Sequence, residues 1–235
     1  MKKLHFLNLF LSLLIIFFFV AINQTVFAAT FNVSTTQELR QALQDAATNG
    51  QDDVIILADG TYKTTDDGGG TFTFLDNEDH ELTIRGSSAD NVILSGDDTD
   101  QVLNLIVINS EITIHLVKIS VQNGKSENDG GGIFSEENLA IENCKISGNT
   151  GGGFSSSGAT TITDSTISGN TGSGFSSSSG TTTITNSTIS RNTGDGFSSS
   201  GATTITDSTI SGNTGRGFSS SSGATTITNK DRLCE

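Results

Sequence analysis

The sequence predicts an all-β chain, a right-handed single-stranded parallel β-helix of about seven coils with an N-terminal capping α-helix. Three observations carry this expectation. From Gly131 onward the chain repeats itself every 20 to 22 residues, a period that marks a solenoid. Each repeat contains three short β-branched or aromatic runs and no helical pattern. Pro is absent and Gly numbers 27, so the chain must turn on Gly, Asn and Ser.

The repeat resolves into columns. Ile141, Ile162, Ile184, Ile205 and Ile227 form one series, with steps of 21, 22, 21 and 22. Ile146, Ile167, Ile189 and Ile210 follow five residues behind. Phe134, Phe154, Phe175, Phe197 and Phe218 form a third series, and Asn149, Asn170, Asn192 and Asn213 a fourth. Three runs per coil (T-I-T, T-I-S and G-F) give three strands and three turns. Each coil then sends two Ile and one Phe inward, and only a stack of coils can bury them. The Asn series is expected to form an amide ladder along the axis. Gly153, Gly174, Gly196 and Gly217 precede the Phe positions and are expected at bends of unusual φ/ψ.

The N-terminal half is less regular. Residues 1–28 open with Lys2 and Lys3, continue through an apolar run from Leu9 to Ile22, and end in Val26-Phe27-Ala28. This pattern predicts a secretory signal peptide cut between Ala28 and Ala29, and hence a secreted, extracellular or cell-surface chain. The competing reading is an uncleaved membrane anchor. After it, Thr30–Val33 reads as a strand and Ser34–Asn49 as a helix. Ser34 or Thr35 would cap that helix with Gln37 or Glu38 three residues on, and Gly50 would end it. Leu39, Ala42, Leu43 and Ala46 share one helix face, which is expected to cover the open end of the first coil. Asp53–Leu57 reads as a strand and Asp59-Gly60 as a turn. Further strands are expected at Thr71–Phe74, Leu82–Arg85, Val92–Leu94, Val102–Val107, Ile112–His115 and Lys118–Val121. The β-helix domain is expected over 29–229, with regular coils over 131–228 and a non-repeat tail over 230–235.

The chain carries 12 basic and 26 acidic residues, a net charge of −14. That balance disfavours a nucleic-acid partner, and the acid is expected to keep a repetitive sheet protein soluble. After signal cleavage no second apolar run is long enough to span a membrane. Cys144 and Cys234 are expected to be unpaired.

The stretches FNVSTTQELRQAL, DDVIILADGTY, ELTIRGSSADNVILSG, ITIHLVKISVQNG and GGGIF, followed by the ISGNT repeats, resemble the pectin-lyase-like superfamily. Within it, they resemble secreted bacterial proteins with right-handed parallel β-helix repeats. The resemblance covers nearly the whole chain after residue 28. It is specific for fold and says little of function, since the superfamily holds lyases, hydrolases, adhesins and proteins without known activity.

The resemblance implies what a catalytic member would carry: carboxylates holding calcium with an Arg or Lys base in lyases, or clustered aspartates with Gly-His-Gly and Arg-Ile-Lys segments in hydrolases. Neither segment occurs here. His80 and His115 each stand alone, with His115 expected to face outward beside inward Ile114. Asp164 and Asp207 share a column with Asn143, Asn186 and Asn229, which suggests a turn position. No cofactor is expected. Asp97, Asp98 and Asp100 are the densest acidic cluster and the weak candidates for calcium, but their spacing fits no defined loop. Arg191 and Arg216 are single departures in exposed turns. Two acidic, glycine-rich stretches, 66–70 and 125–132, read as flexible surface excursions or binding loops.

With no expected catalytic residue in the uniform coils, the leading expectation is a non-catalytic scaffold for adhesion or carbohydrate binding. A polysaccharide or cell-surface ligand would meet outward Thr pairs flanking each inward Ile: Thr161 and Thr163, Thr183 and Thr185, Thr204 and Thr206, Thr226 and Thr228. One alternative is a polysaccharide lyase or glycoside hydrolase with its site on the irregular coils between 59 and 145. Another is ice binding by the Thr-x-Thr columns. The repeat stops at Ile227-Thr228, which suggests either a piece of a longer protein or end-to-end association.

Overall fold

The structure, a computed structural model, describes residues 28–76, 79–108, 111–127 and 130–228. The expected signal peptide lies outside the described residues except for Ala28, as do Asn229, Cys234 and the tail.

Strand β1 (Ala29–Val33) leads into helix α1 (Thr36–Ala46). The first coil is β2 (Asp53–Leu57), β3 (Gly60–Lys63) and β4 (Phe72–Asp76), and the second β5 (Leu82–Arg85), β6 (Val92–Ser95) and β7 (Leu103–Val107). The third is β8 (Thr113–Val117), β9 (Ser120–Gln122) and β10 (Ile133–Ser135), and the fourth β11 (Asn138–Glu142), β12 (Lys145–Ser147) and β13 (Phe154–Ser156). The fifth is β14 (Thr160–Thr163), β15 (Thr166–Ser168) and β16 (Phe175–Ser177), and the sixth β17 (Thr182–Thr185), β18 (Thr188–Ser190) and β19 (Phe197–Ser199). The seventh is β20 (Thr203–Thr206), β21 (Thr209–Ser211) and β22 (Phe218–Ser220), with β23 (Thr225–Thr228) beginning another turn.

From β2 onward every third strand pairs in parallel and β1 adds to the edge of β2, so the chain winds through three sheets, here A, B and C. Sheet A has nine strands, from β1 and β2 to β23, while B and C have seven each. Parallel strands joined by such crossovers wind right-handed. The register is set by the sequence period. Ile141, Ile162, Ile184, Ile205 and Ile227 are direct partners along sheet A. Ile146, Ile167, Ile189 and Ile210 are partners along sheet B. Slipping any coil by one residue would turn its Ile outward.

The Phe column needs one correction. Phe154, Phe175 and Phe197 stack with nearly parallel rings, centroids 4.7 and 4.8 Å apart, and Phe218 continues the stack at 5.5 Å. Phe134 is not part of it. Ile133 pairs with Phe154 and is buried, whereas Phe134 pairs with outward Ser155. The 20-residue first step was the sign of this shift, since side chains alternate faces along a strand.

Gly153, Gly174 and Gly196 need another. Neither they nor Gly217 have positive φ. Those three are glycine because the coils approach closely there: a Cβ on Gly174 would run into the carbonyl of Gly196 and meet Asn192 Nδ2 at 2.9 Å. Left-handed backbone occurs elsewhere, at Gly148, Gly169 and Gly212 (φ +67, +66 and +64), and Arg191 adopts φ 57 at the equivalent turn.

Helix α1 is shorter than expected at both ends. Thr35 is the N-cap, with a capping box to Glu38, and Glu38 also accepts from the backbone and hydroxyl of Ser34. Leu39, Ala42, Leu43 and Ala46 are buried as the pattern requires. The helix packs on β1 to β4, covering the first coil. Arg40 adds what the hydrophobic pattern did not show. Its guanidinium donates to the carbonyls of Thr64 (2.9 Å) and Gly70 (2.8 Å) and sits 4.7 Å from the Phe72 ring centre. The loop supplying Gly70 has positive φ from Asp67 through Gly70, which accounts for its glycine run.

The turn expected at Asp59-Gly60 is where β3 begins, as Gly60 is its first residue. Short strands beside Gly carry little local signal. The interior is also more polar than expected. Ser165, Ser187 and Ser208 line the turn after sheet A, and Thr160, Thr182 and Thr203 point inward. The backbone N–H of Ser165 donates to Ser187 Oγ, and that of Ser187 to Ser208 Oγ, both at 3.1 Å.

Candidate functional site

The outer face of sheet A carries two regular threonine columns that the register creates. Along it Thr161, Thr183, Thr204 and Thr226 are direct partners, and so are Thr163, Thr185, Thr206 and Thr228. Strand geometry puts the two columns ~6.7 Å apart and successive coils ~4.8 Å apart. Thr161 and Thr204 are exposed, while Thr163, Thr183, Thr185 and Thr206 are half-buried by their neighbours. The alternation follows from inward Ile162, Ile184 and Ile205, each wholly buried.

Other outer columns are hydroxylic too. Ser155, Ser176, Ser198 and Ser219 are partners on sheet C. Ser147, Ser168, Ser190 and Ser211 are partners on sheet B. Thr150, Thr171, Thr193 and Thr214 are exposed at the corner between B and C.

Toward the N-terminus the sheet A columns become irregular. The first continues through Ala140, His115 and Thr83, and the second through Glu142, Val117 and Arg85. His115 faces outward, as expected, with Nε2 3.8 Å from a carboxylate oxygen of Glu81. His80 stands elsewhere, on the connection between β4 and β5.

Two of the three acidic candidates, Asp97 and Asp100, are engaged by their own neighbours. Asp97 accepts from Lys63 Nζ at 2.9 Å and from Thr65 Oγ1 at 3.1 Å. The Lys63 ammonium, then the Thr65 hydroxyl, hold its carboxyl below the usual range. Asp97 and Asp98 both adopt positive φ (53 and 58), and Asp100 accepts from Thr99 Oγ1. Among the described residues no group of three His, Cys, Asp or Glu side chains is placed to hold a metal ion. Asp164 and Asp207 occupy the left-handed turn position shared with Asn143 and Asn186 (φ 47 to 53), and Asn186 Nδ2 donates to Asp164. The column therefore tolerates Asp and Asn because both adopt this backbone.

A cleft of about 370 Å³ opens where sheet C turns into sheet A, lined by Glu111, Glu136, Glu137, Asn138, Ser157 and Gly158 among others. Sequence reasoning did not single it out. Glu137 is buried and accepts from the backbone N–H groups of Val107 and Ile112, both at 3.3 Å. Burial pushes its carboxyl up despite those two bonds. Asn138 Oδ1 accepts from the N–H of Ala159 at 2.8 Å. Both side chains thus satisfy turn backbone.

The Asn ladder is structural. Asn149 Nδ2 donates to Asn170 Oδ1 (3.0 Å), Asn170 Nδ2 to Asn192 Oδ1 (2.9 Å), and Asn192 Nδ2 to Asn213 Oδ1 (2.9 Å). Each of these oxygens also accepts the backbone N–H of the preceding Asn at 3.0 Å. Cys144 is a free, buried thiol standing where later coils place Ser165, Ser187 and Ser208. Burial pushes it up to about 11.

Among the described residues no helix is long and apolar enough to cross a membrane. No curated protein and no solved structure matches the sequence. A family model described as "Right handed beta helix region" matches residues 70–231. That span covers most of the chain and runs from the end of the first coil through all later ones, so the chain belongs to the right-handed β-helix family.

Proposed function

We propose that this chain is a secreted, non-catalytic scaffold whose sheet A face binds carbohydrate on an extracellular or cell surface. The observation that carries the reading is the in-register double column of Thr161 to Thr228. Such an array offers hydroxyl donors and acceptors at a fixed repeat, which suits a ligand that is itself periodic. A single hydroxyl contact contributes only about 1 kcal/mol, so affinity would arise from many weak contacts made together. Secretion is supported by the pattern of residues 1–28.

The alternative of an enzyme rests on the irregular coils, where His115, Glu81 and Arg85 lie toward one end of sheet A. Incubation with a panel of uronates and neutral glycans separates the readings. Binding without release of unsaturated sugars or reducing ends supports the scaffold, and release of either overturns it. Ice binding rests on the same Thr columns. Thermal hysteresis or ice shaping by the purified chain would favour it, and the lack of both would exclude it.

A further inference from the structure

The first coil differs from all later ones at one interior corner. Asp53 begins β2 in the inward place held by Leu82 and Ile114 in the coils stacked on it. Asp76 ends β4 in the inward place held by Val107 in the next coil. Both are buried, at 4% and 1% exposure. Two carboxyl groups therefore share the corner that α1 covers. Asp53 accepts from Asn49 Nδ2 at 2.8 Å, and Asn49 lies on the segment joining α1 to β2.

Among the described residues, two further titratable groups act on Asp53. Asp52 precedes it on the same strand, and His80 comes from the β4–β5 connection. Glu81, next along, donates its backbone N–H to Asp52 Oδ1 at 3.0 Å and accepts the N–H of Asp53 on its carbonyl. Helix α1 contributes no cation to this corner, since Arg40 is committed to the carbonyls of Thr64 and Gly70.

We propose that the Asp53–Asp76 corner is a proton-operated latch that holds the α1 cap closed in acid and loosens it toward neutral pH. Like charges confined in a buried site cannot both ionise at no cost, so one proton is retained. Burial pushes the Asp53 carboxyl up to about 6, and the neighbouring Asp76 adds to this against the opposing pull of Asn49 and His80. When the cap lifts, Asp53 meets water and returns to its ordinary value near 3.8. The closed cap therefore binds more protons than the open one between those two values. Its stability is complete below about 4 and is lost progressively as pH rises through about 6. Loosening would uncover Leu39, Leu43 and the Phe72 face of the first coil.

Amide hydrogen exchange on the full chain, corrected for intrinsic rates, tests the latch. Protection of β1 and α1 is expected to fall on the order of 100-fold between pH 4 and pH 7, about tenfold per pH unit across the gap. Coils five and six should not follow. Tyr62, the only tyrosine, gives a second signal, because its buried hydroxyl lies 3.0 Å from the carbonyls of Val33 and Ala58 under the cap. Asp53→Asn is expected to flatten both profiles. If that variant does not fold, Asp76→Asn serves, and its midpoint should shift to lower pH. Equal protection at pH 4 and pH 7, or a D76N midpoint unmoved from the parent's, overturns the proposal.

Discussion

Replacing Asn170 with alanine tests the interior of the rod most severely. Asn170 is wholly buried. Its Oδ1 accepts the backbone N–H and the Nδ2 of Asn149, both at 3.0 Å. Its Nδ2 donates to the Ile146 carbonyl (3.3 Å) and to Asn192 Oδ1 (2.9 Å). Alanine removes all four bonds and leaves the Asn149 N–H without an acceptor in a fully buried corner. Each buried polar group left unpaired costs about 1–3 kcal/mol. Because the carbonyls retain a second lone pair, the total should be about 3–5 kcal/mol. Asn213→Ala is the matched control. It removes bonds to Asn192 and to the Ile189 carbonyl, but the site is half-buried and water can replace them, so about 1–2 kcal/mol is expected. Urea unfolding followed by circular dichroism reads both, with the m-value compared to confirm that the same surface unfolds. A cost below about 1 kcal/mol for Asn170→Ala, or equal costs at the two sites, would refute the argument that the ladder holds the coils in register.

Three further outcomes follow from the same geometry. Gly174→Ala should destabilise far more than Gly169→Ala, because the first drives a Cβ into the Gly196 carbonyl whereas the second meets nothing within 4 Å and bears only the left-handed cost of about 1 kcal/mol; thermal unfolding ranks them. Arg191→Gly should raise stability by about 1 kcal/mol, since Arg191 holds φ 57 where its counterparts are Gly; the same scan shows the sign. Cys144, buried with its thiol pushed up to about 11, should resist a thiol reagent at pH 8 until denaturant unfolds the coil, whereas Cys144→Ser should be tolerated because serine fills the equivalent place in three later coils.

The repeat made coils four to seven legible because one period set register, inward Ile, stacked Phe and paired Asn together. What escaped was set by contacts between coils. Nothing local marks Gly174 as a site of close approach rather than of positive φ. Phe134 has the right neighbours in sequence and the wrong parity in its strand. The inward Thr160, Thr182 and Thr203 look like any strand threonine until their partners are known. The outer Thr columns were legible from alternation alone. The cleft at Glu137 and the buried Asp53–Asp76 corner were not, because each joins residues from separate strands through a turn of variable length.

The central claim is that the sheet A face binds a repetitive carbohydrate without cleaving it. Its most direct test is depletion of the purified chain by insoluble glycans, comparing the parent with Thr183→Lys, which breaks the flat column, and with Ser190→Lys on sheet B. The account predicts binding by the parent and by Ser190→Lys, loss on Thr183→Lys, and no soluble sugar in any arm. Equal binding by all three proteins, or sugar released into solution by the parent, would contradict it.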